Sequence, residues 1–140
     1  MINTKIYKTV YQLSEKLMDA ANEENRDAFE ALYAELQSIC IDNENTPKDH
    51  PEQWETLADF TEELEDAILG YAKALEKAVV VNSKDHLSSI AFSMAKLQLE
   101  LGQTDAAIKN LQDAKVSANK IADRELKEEI DDLLEKLSGD

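Results

Sequence analysis

The chain has 140 residues, 43% of them apolar and 32% charged, which suits one domain with its own core and is too apolar for a disordered chain. Its net charge of −15 argues against nucleic-acid partners, because phosphates would be repelled and no counterions released. Ala, Leu, Glu, Lys and Arg make up about half of the sequence, whereas 3 Gly and 2 Pro leave too little turn chemistry for an all-β fold.

Apolar residues recur at helical spacing almost from end to end. Ile6, Val10, Leu13, Leu17 and Ala20 mark a first helix, with Asn3 or Thr4 as its cap. Asn22 to Asn25 interrupts the pattern. Phe29, Leu32, Tyr33, Leu36, Ile39 and Cys40 mark a second helix, which stops near the loop Asp42 to Pro47. His50 caps a third helix that has Pro51 in its first turn, a position that needs no free N–H. From Trp54 the stripe Leu57, Thr61, Leu64, Ile68, Tyr71, Leu75 and Ala78 is unusually regular. It fits one helix of roughly 28 residues and about 40 Å, or two helices meeting at the polar run Thr61 to Asp66. After a cap at Asn82-Ser83, Leu87, Ile90, Met94, Leu97 and Leu101 lead to Gly102, a typical residue just past a helix end. Thr104 caps the next helix, with Ala107, Ile108, Leu111, Ala114, Ala118 and Ile121. Asp123 starts the last, with Leu126, Ile130, Leu133, Leu134 and Leu137.

Compartment is read from features the sequence lacks. No run reaches the roughly 18 apolar residues of a membrane span, and Met1 to Lys8 leads into no continuous apolar stretch. No membrane association and no secretory signal are therefore expected. Cys40, the one cysteine, lies on an apolar face and reads as a buried structural thiol. A cytoplasmic protein is the expectation.

The pattern repeats. Shifted by 40, Ala107, Ile108, Leu111, Ala114 and Ala118 fall on Ala67, Ile68, Tyr71, Ala74 and Ala78. Shifted by 39, Ala67, Ile68, Tyr71 and Leu75 fall on Ala28, Phe29, Leu32 and Leu36. Small and large residues keep their places. The chain thus divides into one all-α domain, 1–140, of three helix–turn–helix units at about 1–45, 46–82 and 83–121, with a capping helix over 123–138. That last helix sets its acids on one face and its Leu and Ile on the other, as a solvent-facing cap requires.

Met94 to Ile108 resembles the tetratricopeptide repeat (TPR). Ala95, Gly102, Ala107, Leu111 and Ala114 sit at the family's best-defined spacings, and Glu65 to Leu75 looks like a second copy of the repeat's second helix. The resemblance covers residues 51–121. It implies a right-handed TPR-like stack and a non-enzymatic adaptor or chaperone that holds a peptide or partner helix in a groove. Small size, acidity and repeats are also similar to class II type III secretion chaperones. The resemblance puts the inner face of the third unit on Ser89, Phe92, Lys96, Leu99 and Glu100. The 40-residue shift puts that of the second on Asp49, Glu52, Thr56, Asp59 and Phe60. The Asn and Lys set with which some members grip a peptide carboxylate is absent.

Catalytic and metal patterns are not found. His50 and His86 lack the acid three residues earlier of a di-iron bundle, and there is no zinc spacing, phosphate-cradling loop or serine elbow. Asp42 to Thr46 begins like a calcium loop, but Pro47 and Gln53 stand where glycine and a bidentate Glu belong. No enzyme activity, metal or cofactor is expected.

Residues 42–66 hold ten acids against Lys48. Such a patch can steer a basic partner. The expected binding residues are Asp49, Glu52, Asp59, Phe60, Phe92, Lys96 and Leu99, and the expected partner is a protein or peptide that is basic and partly apolar. The competing expectation is a structural module that homodimerises through the Trp54–Ala78 heptads as a helical bundle or coiled coil.

Overall fold

The computed structural model describes residues 3–138, which form seven helices and no strand. In chain order they are α1 (Thr4–Asn22), α2 (Arg26–Asn43), α3 (Pro51–Asp59), α4 (Leu64–Val81), α5 (Lys84–Glu100), α6 (Thr104–Ala118) and α7 (Arg124–Ser138).

Capping explains most boundaries. The side chains of Asn3, Asn25, His50 and Ser83 accept the backbone N–H of Ile6, Ala28, Glu52 and His86, so each satisfies a donor the helix leaves open. Asp123 does the same for Leu126 ahead of α7, at 3.0 Å. Thr104 is not a cap. It is the first residue of α6, behind Gln103, which makes no side-chain capping bond. Gly102 takes φ +76° in the α5–α6 turn, where a side chain would be strained. Asn82 closes α4 with φ 53°.

The regular stripe from Trp54 is two helices, not one. The chain turns at Phe60 to Glu63 without glycine or proline. Thr61 sits in that turn, and its hydroxyl donates to the Leu57 carbonyl at 2.8 Å. That uses its only hydrogen, so the Tyr33 hydroxyl donates to Thr61 Oγ1 at 2.6 Å. Arg26 adds a bidentate pair with Glu62, one arm of it 2.8 Å long. α2 therefore fixes the turn. The continuous heptad helix of the coiled-coil expectation is not formed, and Trp54, Leu57, Tyr71, Ala74 and Ala78 are spent inside the chain's own core.

The helices stack as hairpins. Each packs on the next in sequence; in addition α1 meets α3 and α3 meets α5. No comparable contact joins α2 to α4 or α4 to α6 among the described residues. α1, α3 and α5 thus lie along one side of the stack, nearer one another than α2, α4 and α6. Where α3 meets α4, a Cβ on Gly70 would lie 3.2 Å from that of Ala58, so the two backbones approach closely.

Two cores result. The first unites α1 to α4 with Ile90 and Met94 of α5. The second lies on the other face of α5, where Ala91, Phe92 and Ala95 meet Ala107, Leu111, Ala114, Ala118, Ile121 and Ile130. Cys40 is fully buried in the first core, and burial pushes its thiol up to about 12. No helix among the described residues is long and apolar enough to cross a membrane.

Candidate functional site

The expected binding residues do not form one surface. Asp49 is a structural hub. Its carboxylate accepts the Trp54 indole N–H at 2.8 Å and the Asn45 backbone N–H at 2.9 Å, and lies 3.0 Å from Lys77 Nζ. Burial alone would raise its pKa; the Asn45 N–H, the indole and Lys77 together hold it below the ordinary value. Lys77 also reaches Glu44, and the ammonium groups of Lys73 and Lys77 lie over the Trp54 ring at 5.5 and 5.7 Å. Asp49→Ala is expected to cost about 2–3 kcal/mol, because it strands the indole N–H and takes one of two carboxylates from a Lys77 side chain only 13% exposed. Urea unfolding followed by Trp54 fluorescence checks it; a cost under about 0.5 kcal/mol would make the hub dispensable.

Phe92 and Leu99 turn inward as well. Phe92 is 7% exposed within the second core, with the Lys96 ammonium over its ring at 4.5 Å, and Leu99 packs against the same cluster. Neither is an open anchor, since α5 is covered on two faces and a second stripe is what that packing demands. Phe60 stands edge-on to Phe29 of α2, with centroids 6.4 Å apart.

Glu52 and Asp59 do share a face, where α3 lies against α5, and the structure adds partners to them. Glu52 Oε1 sits 3.1 Å from His86 Nε2. His86 bonds Ser83 Oγ at 2.7 Å through Nδ1, and the His50 ring stands edge-on at 5.2 Å. Glu55 accepts the Ser89 hydroxyl at 2.8 Å. Asp59 accepts the Tyr71 hydroxyl of α4 at 2.5 Å.

These contacts separate the charges. The bond to His86 holds Glu52 below the usual carboxylate range and raises His86 in return. Burial, and then the neighbouring His86, lowers His50. Burial pushes Glu55 up to about 7; the Ser89 hydroxyl and His86 pull it down, Asp59 and Glu52 repel it, and burial outweighs them. Asp59 keeps an exposed edge, yet crowding around its carboxyl raises its pKa too, more than Tyr71 and Lys96 lower it. Glu55 and Asp59 form no ion pair among the described residues; Lys96, exposed on α5, is the one cation that acts on Asp59.

Glu55, His86 and Tyr71 were not among the expected residues. Spacing alone marks Glu55, which stands three after Glu52 and four before Asp59 and so lies on their stripe. His86 and Tyr71 carry no such signal, because their partners lie 34 and 12 residues away. Among the described residues, no group of three or more His, Cys, Asp or Glu side chains is placed to hold a metal ion.

No family model matches the chain, and neither a curated protein nor a solved structure does.

Proposed function

We propose that the chain is a non-enzymatic, TPR-like adaptor or chaperone that holds a basic, partly apolar segment against the α3–α5 face. One observation carries the reading. Glu55 and Asp59 stand together on the α3–α5 face, partly desolvated, with no ion pair among the described residues. A cation placed between them relieves a cost that the free protein bears. The binding residues narrow to Glu52, Glu55, Asp59, Ser89 and Lys96. The TPR-like part of the reading is supported by the stacked hairpins, by the left-handed Gly102 turn, and by complete burial of Ala95, Ala107, Leu111 and Ala114.

The test uses a synthetic amphipathic peptide of lysine, leucine and alanine, followed by amide chemical shifts. Shifts are expected at Glu52, Glu55, Asp59, Ser89 and Lys96. Affinity should fall about tenfold between 0.02 and 0.2 M salt as screening shortens the reach of the carboxylates. The double variant Glu55→Gln, Asp59→Asn should weaken binding by a similar factor. Shifts spread over the whole acidic surface, or binding indifferent to the double variant, would overturn the proposal.

A further inference from the structure

A different part of the molecule holds a cavity of about 300 Å³, lined by Phe29 and Tyr33 of α2 and by Phe60 and the α3–α4 turn. Its walls are aromatic and its rim is acidic. Four carboxylates surround it, those of Glu30, Glu62, Glu63 and Asp66, against one guanidinium, that of Arg26.

Arg26 shows what this chemistry accepts. Its guanidinium lies 5.1 Å from the centre of the Phe29 ring, pairs in two-pronged fashion with Glu62, and donates through Nε to Glu30 at 3.3 Å. Planar stacking together with a forked pair to a carboxylate is how a guanidinium is held, and a lysine ammonium reproduces it poorly. The same two elements recur beside Arg26 with no cation on them. Phe60 and Tyr33 give the aromatic faces. Glu63 and Asp66 give carboxylates that make no ion pair among the described residues.

The walls are fixed before any ligand arrives. Tyr33 is tied through its hydroxyl to Thr61, Thr61 to the Leu57 carbonyl, and Phe60 is braced edge-on by Phe29. A site whose rotamers are already locked gives up little entropy on binding. Beyond the Arg26–Glu62 bridge, a second hollow of about 270 Å³ continues along Ala20 to Asn25. Arg26 therefore stands as a partition in a longer trough, and it is itself 56% exposed.

We propose that this cavity is a recognition pocket for an arginine side chain of a partner segment, taken between Tyr33 and Phe60 and paired with Glu63 and Asp66, and that Arg26 is its internal competitor. The pocket rests on its own geometry and not on the α3–α5 face, so either can fail without the other.

The probes are N-acetyl-arginine methylamide and its neutral near-isostere, N-acetyl-citrulline methylamide. The readout is the ring resonances of Phe29, Tyr33 and Phe60, with the Thr61 amide. The arginine probe should saturate these signals at roughly millimolar concentration, in keeping with its size. Citrulline should bind at least tenfold more weakly. Arg26→Gln should tighten arginine binding about fivefold, since the competing guanidinium and its charge are removed. Adding Glu63→Gln and Asp66→Asn should reverse that gain. All three positions are exposed, and the amide spectrum verifies the fold in each variant. Equal binding of citrulline, weaker binding to Arg26→Gln, or shifts confined to Glu55 and Asp59 would each overturn the assignment.

Discussion

Leu111→Ala is expected to cost about 2–5 kcal/mol and to split unfolding into two steps. Leu111 is fully buried between small neighbours, Ala107, Ala114 and Ala118, which cannot collapse into the space it leaves. A loss of that size is a large part of the roughly 5–15 kcal/mol that holds a domain together. It falls on one half of the molecule, because α1 to α4 place no residue in the second core. In a stack where each hairpin rests on its neighbours, weakening one end lets that end melt first. Trp54 lies in the first core and is the chain's one tryptophan, so its fluorescence reports that core alone. Urea melts of the variant should therefore lose part of the far-ultraviolet helix signal before Trp54 responds. Coincident curves, or a cost below about 1 kcal/mol, would mean that the two cores unfold as one body or that the site repacks.

The helices and most of their caps, Thr104 excepted, were legible because they are local. Asn3, His50, Ser83 and Asp123 act on donors two or three residues away, and apolar periodicity is written in the sequence itself. What was illegible depends on contacts across the fold. The turn after α3 is tied to α2 through Tyr33, which is 28 residues from Thr61, so a stripe without a breaker read equally well as one long helix. Asp49 was grouped with the groove by register, yet Lys77 of α4 claims it. Phe92 fits an inner-face position just as well, and the α6–α7 layer covers it. An acidic stripe shows which residues share a helix face. It does not show which carboxylates are already neutralised, and that distinguishes Glu52, held by His86, from Glu55 and Asp59.

That distinction makes stability depend on pH in a predictable way. Glu55→Gln should be more stable than the parent at pH 8 by about 2 kcal/mol, on the order of 5–10 °C in Tm, and most of that gap should close by pH 5. In the folded state burial holds Glu55 near 7, whereas in the unfolded chain it titrates near 4.5. A folded pKa above the unfolded one means that the folded state binds the extra proton. Stability is therefore lost as pH rises through the interval from about 4.5 to about 7, and the full penalty stands at pH 8. The size follows from about 1.4 kcal/mol per pKa unit, reduced for the water that still reaches a half-buried carboxyl. Gln keeps an acceptor for the Ser89 hydroxyl and has nothing to ionise. The groups facing Glu55 also titrate. Asp59 on α3 shifts in the same direction as Glu55, and His86 on α5, raised by Glu52, loses its stabilising charge as pH rises. His50, whose pKa is lowered, opposes them by costing stability below its ordinary 6.5, and Tyr71, pushed up by burial, stays neutral throughout. Taking the difference between variant and parent cancels most of these and isolates Glu55. Thermal melts at half-unit steps from pH 5 to 8 decide the matter. Two parallel curves would show that Glu55 ionises as freely as a surface residue, and the α3–α5 face would then have no unmet charge to offer a cationic partner.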